Sequence, residues 1–237
     1  MTHTMKGKKL VIVGGGSGIG RRIAADAIHA GATVVLAGRD PRASLVADLG
    51  DRASTAAVDL TNEESIARLA HEVSEIDYLV SVAAAHANGP VADLEKPAVI
   101  GAFEAKVIGP IMLAKHFGPR LREGGAVLLF SGVAAWQPAP GRAVMATTNG
   151  AVSFLAEALA VELAPIRVNA LSPGIVDSGA WDGLGENENG FFAGVAATYP
   201  ARRVGTPADI SAAALLALTN PFMTGTTLHV DGGGRLA

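Results

Sequence analysis

The sequence has no cysteine, few aromatic residues and no large excess of charge. None of its 237 residues is Cys, 5% are aromatic, and 19 basic against 22 acidic residues give a net charge of −3. The absence of cysteine excludes disulfides and thiolate chemistry. A charge so near neutral does not favour nucleic acid as a partner. The six histidines show no metal-ligand spacing, so we expect no metal site.

Long apolar runs are also scarce. After a basic N-terminal stretch, the apolar segment Leu10–Val13 is interrupted at Gly14, which is too early for a signal-peptide core. No continuous apolar run approaches the ~20 residues of a membrane span. We therefore expect a cytoplasmic protein that does not cross a membrane.

Small and apolar residues dominate what remains. Hydrophobic residues make up 49% of the chain and there are 29 glycines, which is typical of buried parallel strands covered by close-packed helices. The predicted strands are Leu10–Val13, Thr33–Ala37, Ser54–Val58, Tyr78–Val82, Ala126–Phe130, Arg167–Leu171 and Thr227–Val230. The predicted helices lie near 18–30, 41–49, 63–74, 97–121, 144–164 and 207–218. This alternation predicts one doubly wound α/β domain of the Rossmann type over residues 1–237, with a mostly parallel seven-stranded sheet and helices on both faces.

One segment, residues 177–205, interrupts the alternation of strands and helices. It contains Trp181 and the pair Phe191-Phe192 among several glycines and acidic residues. A long connection before the last strand is often functional, and we interpret it as a substrate lid. A variable surface loop is an equally good interpretation of the sequence.

A glycine-rich loop follows the first predicted strand. Glycines at this point let the backbone turn tightly and approach a pyrophosphate, whose charge then lies at the N-terminus of the next helix. The pattern alone is weak, because glycine also marks ordinary strand–helix turns, but its place on the first strand of an alternating array makes cofactor binding the favoured interpretation. The residues predicted to contact the dinucleotide are Gly14, Gly16, Ser17, Gly18, Ile19 and Gly20.

The residues after the second strand bear on the choice of cofactor. A carboxylate about 20 residues after the loop would bind the ribose 2′-hydroxyl of NAD, but this chain has Gly38-Arg39 there. Gly38 leaves room for a phosphate and the Arg39 guanidinium can bind it in a bidentate manner. We therefore predict NADP(H) rather than NAD(H), although Asp40 could still reach a ribose and Arg39 could be a solvated surface residue.

Several spaced motifs, taken in order, resemble those of the short-chain dehydrogenase/reductase family over essentially the whole chain. The matching segments are the glycine loop, Asp59-Leu60-Thr61, the segment 81–84 (where only Ala83 is kept), Arg167–Gly174, Arg203–Ile210 and Gly225–Gly233. The resemblance implies that Asp59 accepts a hydrogen bond from the adenine amino group. The other cofactor contacts that it implies are Leu60, Ala83, Asn149, Pro173, Gly174, Ile175 and Ser178.

The same register places the family's catalytic Asn-Ser-Tyr-Lys tetrad on residues of other types. The four positions hold Lys106, Gly132, Met145 and Asn149. In the family, the Tyr hydroxyl donates a proton to the carbonyl oxygen while the neighbouring Lys lowers its pKa. Met145 has no transferable proton and Gly132 has no side chain. Because general acid catalysis contributes ~10²–10⁴-fold, we expect ordinary carbonyl reduction to be lost or severely slowed.

Two of these substitutions look related, because Lys106 and Asn149 exchange the family's Asn and Lys. If both helices pack as in the family, Lys106 supplies the ammonium near the nicotinamide ribose and Asn149 bonds a ribose hydroxyl. Alternatively, Lys106 extends to solvent and Asn149 has no role. Ser131, one position before Gly132, either holds a substrate oxygen or bonds to backbone. His86 is either a substitute acid or a solvated loop residue.

Three functions remain open on the sequence. The leading one is an NADP(H)-dependent oxidoreductase with an atypical active site, in which Lys106, Asn149 and Ser131 act on a small organic substrate. A second is an NADP(H)-binding pseudoenzyme with a regulatory or structural role. A third is a dehalogenase-like relative that has lost the cofactor, which fits less well because such a protein would not need to keep the glycines of the loop. The resemblance also implies a homotetramer packed through the segments 97–121 and 144–164 and the last strand, with a dimer left open.

Overall fold

The computed structural model describes residues 4–237, and these residues form one parallel sheet of seven strands. The strands are β1 (Lys9–Val13), β2 (Thr33–Gly38), β3 (Ala53–Ala57), β4 (Ile76–Ser81), β5 (Leu121–Phe130), β6 (Arg167–Pro173) and β7 (Thr227–Val230). Their order in the sheet is β3-β2-β1-β4-β5-β6-β7, and every neighbouring pair is parallel. The predicted doubly wound α/β fold is confirmed. His3, one of the histidines judged unable to bind metal, lies outside the described residues.

The helices that connect these strands lie on both faces of the sheet. They are α1 (Gly18–His29), α2 (Glu63–Val73), α3 (Lys96–Phe103), α4 (Gly109–Phe117), α5 (Ala143–Glu162), α6 (Glu188–Thr198) and α7 (Pro207–Thr219). The last of these begins at a capping box, in which Thr206 and Asp209 bond each other's backbone N–H groups. Such reciprocal bonds satisfy two donors that the first turn of a helix would otherwise leave unpaired.

Alternating side chains of the buried strands supply two cores, one on each face. In β1, Leu10 and Ile12 pack with α1 and α7, while Val11 and Val13 pack with α2, α4 and α5. Successive strand residues point to opposite faces, so a strand buried on both sides must be apolar at every position. This requirement explains why the predicted strands were short and mostly apolar.

The order of the strands reverses between β1 and β4. Chain connections run from β1 outward to β3, and the chain then returns to place β4 on the other side of β1. Helices on either side of this point leave in opposite directions, which opens a crevice beyond the carboxyl ends of the strands. The glycine loop after β1 and the loop after β4 therefore meet at this crevice.

Two predicted helices differ from those observed. The segment 41–49 contains only a short 3₁₀ turn, Ala43–Leu45, because the Arg21 guanidinium bonds the carbonyl of Leu45 and the carboxylate of Asp48. The Leu45 carbonyl is thereby taken from the helical bond it would have accepted. The segment predicted as one helix over 97–121 is divided by a π-helical turn, Glu104–Ile108, and the chain enters β5 directly at Leu121.

Two helical segments, Lys96–Arg120 and Ala143–Glu162, have the length and mean hydropathy of a membrane span. The expectation concerned continuous apolar runs, and charged or polar residues interrupt both segments, Glu104 and Lys106 in the first and Asn149 and Glu157 in the second. Length and composition alone do not place a helix in a membrane, since a helix that covers a buried sheet meets the same test. Here α4 and α5 contribute Leu113, Phe117, Val152 and Ala156 to the core on one face of the sheet.

Candidate active site

The glycine loop after β1 is shaped by close approach to the neighbouring strand. Gly14 has a φ of 86°, and a Cβ there would lie 2.7 Å from the backbone nitrogen of Ala83, the second residue after β4. A side chain at Gly14 is therefore excluded both by conformation and by contact. Ser17 precedes α1 in extended conformation and its side chain makes no capping bond. The first N–H groups of α1 face the crevice without a side-chain partner, which suits a phosphate group.

The segment after β6 closes over this loop. A Cβ on Gly18, whose φ is 51°, would lie 2.6 Å from the backbone oxygen of Ser178. Gly174 is equally tight, because its Cβ would lie 2.7 Å from the Cα of Asp231. These contacts fix Pro173, Gly174 and Ile175 at the mouth of the crevice. Among the residues predicted to contact the cofactor, the structure thus brings Gly14 close to Ala83 and Gly18 close to Ser178.

Arg39 and Asp59, two of the residues predicted to contact the cofactor, lie just beyond the carboxyl ends of β2 and β3. Arg39 is exposed, and its positive charge helps to lower the pKa of Asp59, which is lowered mainly by hydrogen bonds from the Thr61 backbone and hydroxyl. Both Thr61 donors bond the same Asp59 oxygen at 2.9 Å. Asp40 forms an ion pair with Arg42 at 2.8 Å. The carboxylate that could have bound a ribose is therefore engaged elsewhere.

A cavity of about 530 Å³ lies next to this crevice. Its floor is the loops after β4, β5 and β6, one wall is the start of α5 with the π-helical turn, and the other wall comes from the segment 177–205. Trp181 donates to the carbonyl of Val176 and packs against Phe191, with ring centroids 4.7 Å apart. We call this space the central cavity; its lining includes His86, Ala102, Lys106, Ser131, Gly132, Arg142, Val144, Met145, Asn149, Gly174, Ile175, Trp181, Phe191, Val195 and Tyr199.

Lys106 reaches this cavity from the π-helical turn Glu104–Ile108. Such turns add a residue to a helical turn and are frequent at functional sites. The Lys106 Nζ donates to the backbone carbonyl oxygen of Ser131 at 3.4 Å. Desolvation lowers the pKa of Lys106 to about 8. The side chain keeps partial exposure because it lines an open cavity. The alternative in which Lys106 extends away from the cleft is wrong.

Asn149 lies opposite Lys106, on the buried side of α5. The residue is 5% exposed. Its side-chain amide forms no hydrogen bond with any of the described residues 4–237. A Cβ added to Gly132 would lie 2.8 Å from Asn149 Nδ2. The Asn149 amide thus occupies the space that a side chain at position 132 would need. The amide atoms are not among the fully buried unpaired atoms of the described residues, and Asn149 lines the central cavity, so the amide is accessible to a molecule bound there.

Ser131 does not offer its hydroxyl to the cavity. Its Oγ donates to the backbone oxygen of Asn149 at 2.7 Å, and Ser153 Oγ lies 3.5 Å away. The prediction that the Ser131 hydroxyl holds a substrate oxygen is therefore wrong, because this hydroxyl already donates its proton to the Asn149 carbonyl of α5. The contribution of Ser131 to the site is its backbone carbonyl, which accepts from Lys106.

Two further nitrogen-bearing side chains, those of Arg142 and His86, line the central cavity beside Lys106. Arg142 immediately precedes α5, and its Nη1 lies 3.6 Å from the sulfur of Met145. Arg142 was not predicted from the sequence, although it lies three residues before Met145, which is about one helical turn away. His86 lies on the loop after β4, and its pKa is lowered by desolvation and then by the positive charges of Lys106 and Arg142.

Metal chemistry finds no support in this part of the molecule. Within residues 4–237 no group of three or more His, Asp or Glu side chains is placed to hold an ion. The histidines of the described chain are dispersed. His116 bonds Glu63 on the surface, and His229 stacks edge-on against Trp136 with ring centroids 4.5 Å apart.

The chain is similar to known oxidoreductases throughout its length. The family model described as enoyl-(acyl carrier protein) reductase matches residues 14–234. The short-chain dehydrogenase/reductase ucsE of an Acremonium species is 31% identical, over 97% of this chain and 96% of its own. A small-chain dehydrogenase solved in complex with NADPH is 30% identical with a TM-score of 0.83, covering 97% of this chain and 99% of its own.

A third similarity shows the fold along the entire chain. The reductase/Diels-Alderase MalC from Malbranchea aurantiaca is 25% identical, has a TM-score of 0.93 and covers 100% of both chains. The spaced motifs, the strand order with its reversal beside β1 and the extent of these matches agree with one another. The protein therefore belongs to the short-chain dehydrogenase/reductase family of oxidoreductases.

Proposed function

We propose that the protein is an NADP(H)-dependent oxidoreductase that acts on a small organic substrate and uses Lys106 in place of the family's Tyr and Lys. The observation that carries the proposal is the Lys106 ammonium in the central cavity, within reach of the Ser131 carbonyl. Its lowered pKa of about 8 keeps it mostly protonated at neutral pH. A group with a pKa near the working pH is best suited to donate a proton.

The cofactor half of the site fits a nicotinamide dinucleotide. The loop at Gly14 and Gly18 leaves space that any Cβ would fill, and the N–H groups at the start of α1 are suited to the pyrophosphate. When bound, such a cofactor supplies or accepts a hydride. Exposed Arg39, with open space at Gly38 and Asp40 paired to Arg42, supports a preference for the 2′-phosphate.

The remaining side chains of the site have separable tasks in this proposal. Lys106 holds a proton at Nζ and stabilises negative charge that develops on the substrate. The unpaired Asn149 amide bonds a ribose hydroxyl of the cofactor. Ser131 positions both, because its hydroxyl bonds the Asn149 backbone and its carbonyl bonds Lys106. A substrate that demands little proton donation, such as an iminium ion or an activated alkene, suits a site without the Tyr hydroxyl.

The test combines cofactor binding with turnover. NADPH fluorescence is expected to report binding, and a screen of imines, enones and carbonyl compounds is expected to give NADPH oxidation that Lys106→Ala abolishes and Lys106→Arg retains in part. Lys96→Ala serves as the matched control, because Lys96 is exposed at the start of α3 and outside the cavity. Tight NADPH binding without turnover, unchanged in Lys106→Ala, would favour the pseudoenzyme.

We propose in addition that the protein is cytoplasmic and forms a homotetramer, or a dimer, through α4 and α5. The support is apolar exposure on these helices. Phe154 and Val161 are 72% and 81% exposed and lie seven residues apart on one face of α5, and Ile111 on α4 is 37% exposed. Light scattering is expected to give a multimer that Phe154→Glu dissociates; a monomer at micromolar concentration would refute the assembly.

We also propose that the segment 177–205 acts as a lid. Its residues Trp181, Phe191 and Tyr199 line the central cavity, so opening the cavity requires this segment to move. Trp181 fluorescence is expected to change when NADPH and substrate bind, and Trp136→Phe would isolate that signal.

A further inference from the structure

The central cavity has an unusual distribution of charge. The positively charged side chains of Lys106 and Arg142 line it, together with the neutral imidazole of His86, and among the described residues 4–237 no Asp or Glu does. The rest of its wall is mostly alanine, valine and aromatic side chains. Positive groups in an apolar wall are costly to desolvate unless an opposite charge joins them. The absent charge is therefore expected on the molecule that binds.

Arg142 shows most clearly that the cavity lacks a negatively charged side chain. Among the described residues it forms no ion pair, and the only side-chain contact of its guanidinium that meets hydrogen-bond distance is with Met145 sulfur at 3.6 Å, a weak acceptor. Six other arginines each form an ion pair with a carboxylate. These pairs are Arg21 with Asp48, Arg22 with Asp26, Arg42 with Asp40, Arg122 with Glu75, Arg203 with Asp209, and Arg235 with Asp231. Arg142 is only partly exposed, yet it lacks such a partner.

The position of Arg142 relates it to the reacting centre. Met145 occupies the position at which the family keeps its Tyr, and Lys106 approaches the cavity from the opposite helix. The positive charges of Lys106 and Arg142 both lower the pKa of His86, so the three groups share one electrostatic environment. A planar guanidinium presents parallel N–H donors that match a carboxylate in a bidentate manner.

The wall formed by the segment 177–205 supplies the complementary apolar surface. Trp181 and Phe191 pack together, and Val195 lies on the same side of the cavity. A cavity of about 530 Å³ lies within the range that takes a small organic ligand. The site thus combines a cationic end beside Met145 with an apolar wall.

We infer that the substrate is an organic acid with an apolar or aromatic body, whose carboxylate binds Arg142. This inference rests on the proposed oxidoreductase and adds the chemical class of its substrate. Arg142 anchors the carboxylate, the apolar body packs on Trp181 and Phe191, and the reducible group is left facing Lys106. Binding of the acid supplies the countercharge that the protein itself lacks.

The test compares an acid with its uncharged amide. Binding of 3-phenylpropanoate and of 3-phenylpropanamide is measured by saturation-transfer NMR competition, with and without saturating NADPH. The acid is expected to bind about tenfold tighter or more, the typical contribution of hydrogen bonds to a charged group. Arg142→Gln is expected to remove this preference without changing the affinity for the amide. Arg68→Gln, on the exposed surface of α2 and outside the cavity, is the matched control.

The outcomes separate this inference from the proposed function. Equal binding of acid and amide, a preference that survives Arg142→Gln, or no binding of the acid at all would overturn the carboxylate site even if NADPH binds normally. Absence of NADPH binding, with the acid preference intact and dependent on Arg142, would overturn the proposed function and leave the anion site standing. A preference lost only when NADPH is present would mean that Arg142 binds the cofactor, and would also refute the inference.

Discussion

Replacing Lys106 by methionine should stabilise the folded protein at neutral pH. The ammonium lies in an apolar cavity, and desolvation lowers its pKa from 10.5 to about 8. A lysine whose folded pKa lies below its unfolded pKa destabilises the fold while it is charged. Methionine has a similar length and carries no charge, so Lys106→Met removes that cost.

The expected gain follows from the two pKa values. At about 1.4 kcal/mol for each pKa unit, the fall from 10.5 to about 8 corresponds to about 3 kcal/mol. Partial exposure of Lys106 screens its charge, so the measurable gain should be about 1 to 3 kcal/mol. Above pH 8 the folded lysine loses its proton before the unfolded one, and stability of the natural protein rises with pH until about 10.5. The advantage of the variant should therefore shrink over that window.

The assay is urea unfolding of cofactor-free protein at pH 7 and at pH 10, with all variants at one protomer concentration. The quantity of interest is the difference in unfolding free energy between variant and natural protein, because other titrating groups cancel in it. Lys96→Met, at an exposed position on α3, controls for the loss of a surface charge. A variant no more stable at pH 7, or a gain that does not change with pH, would show that Lys106 is not desolvated and would remove its role as an acid.

Three further substitutions test other parts of the site. Gly14→Ala places a Cβ 2.7 Å from the Ala83 nitrogen at a φ of 86°, and by calorimetry it should weaken NADPH binding about tenfold or more; unchanged affinity would contradict the cradle. Arg39→Gln should weaken binding of NADPH by about tenfold while leaving NADH unaffected, whereas equal losses would refute the phosphate preference. Gly132→Ser should cost about 1 to 3 kcal/mol in urea unfolding because it displaces the Asn149 amide. Adding Asn149→Ala should recover part of that loss, and simple additivity of the two changes would argue against the contact.

Much of the fold could be predicted because its requirements are local. The strands β1 and β2 needed apolar residues at every position, since both faces are buried, and that pattern is legible in the sequence. The predicted helix over 41–49 failed because the Arg21 side chain, twenty-four residues from Leu45, bonds the carbonyl that a helix would use. The spacing of apolar residues within 41–49 contains no information about a side chain elsewhere in the chain that competes for the Leu45 carbonyl.

The candidate site also has a local part and a part that depends on packing. The tight turn of the glycine loop could be predicted, because its glycines are required by backbone geometry within a single strand–loop–helix unit. The position of Lys106 depended on how two helices pack, and the π-helical turn that aims it at the cavity leaves no clear mark in the sequence. Ser131 had two interpretations, and the bond of its hydroxyl to the Asn149 backbone decided between them.

The sequence by itself determined the alternation of strands and helices and predicted a glycine-rich cradle for a dinucleotide after the first strand. Only the tertiary structure decided which side chains share the central cavity, because cavity walls are assembled from segments far apart in the chain. It brought Lys106, Asn149 and Arg142 to one cavity and, among the described residues, left the Arg142 guanidinium with no carboxylate partner. Burial in an apolar wall then lowers the pKa of Lys106 and leaves the cavity positively charged, and neither effect can be obtained from residue order alone.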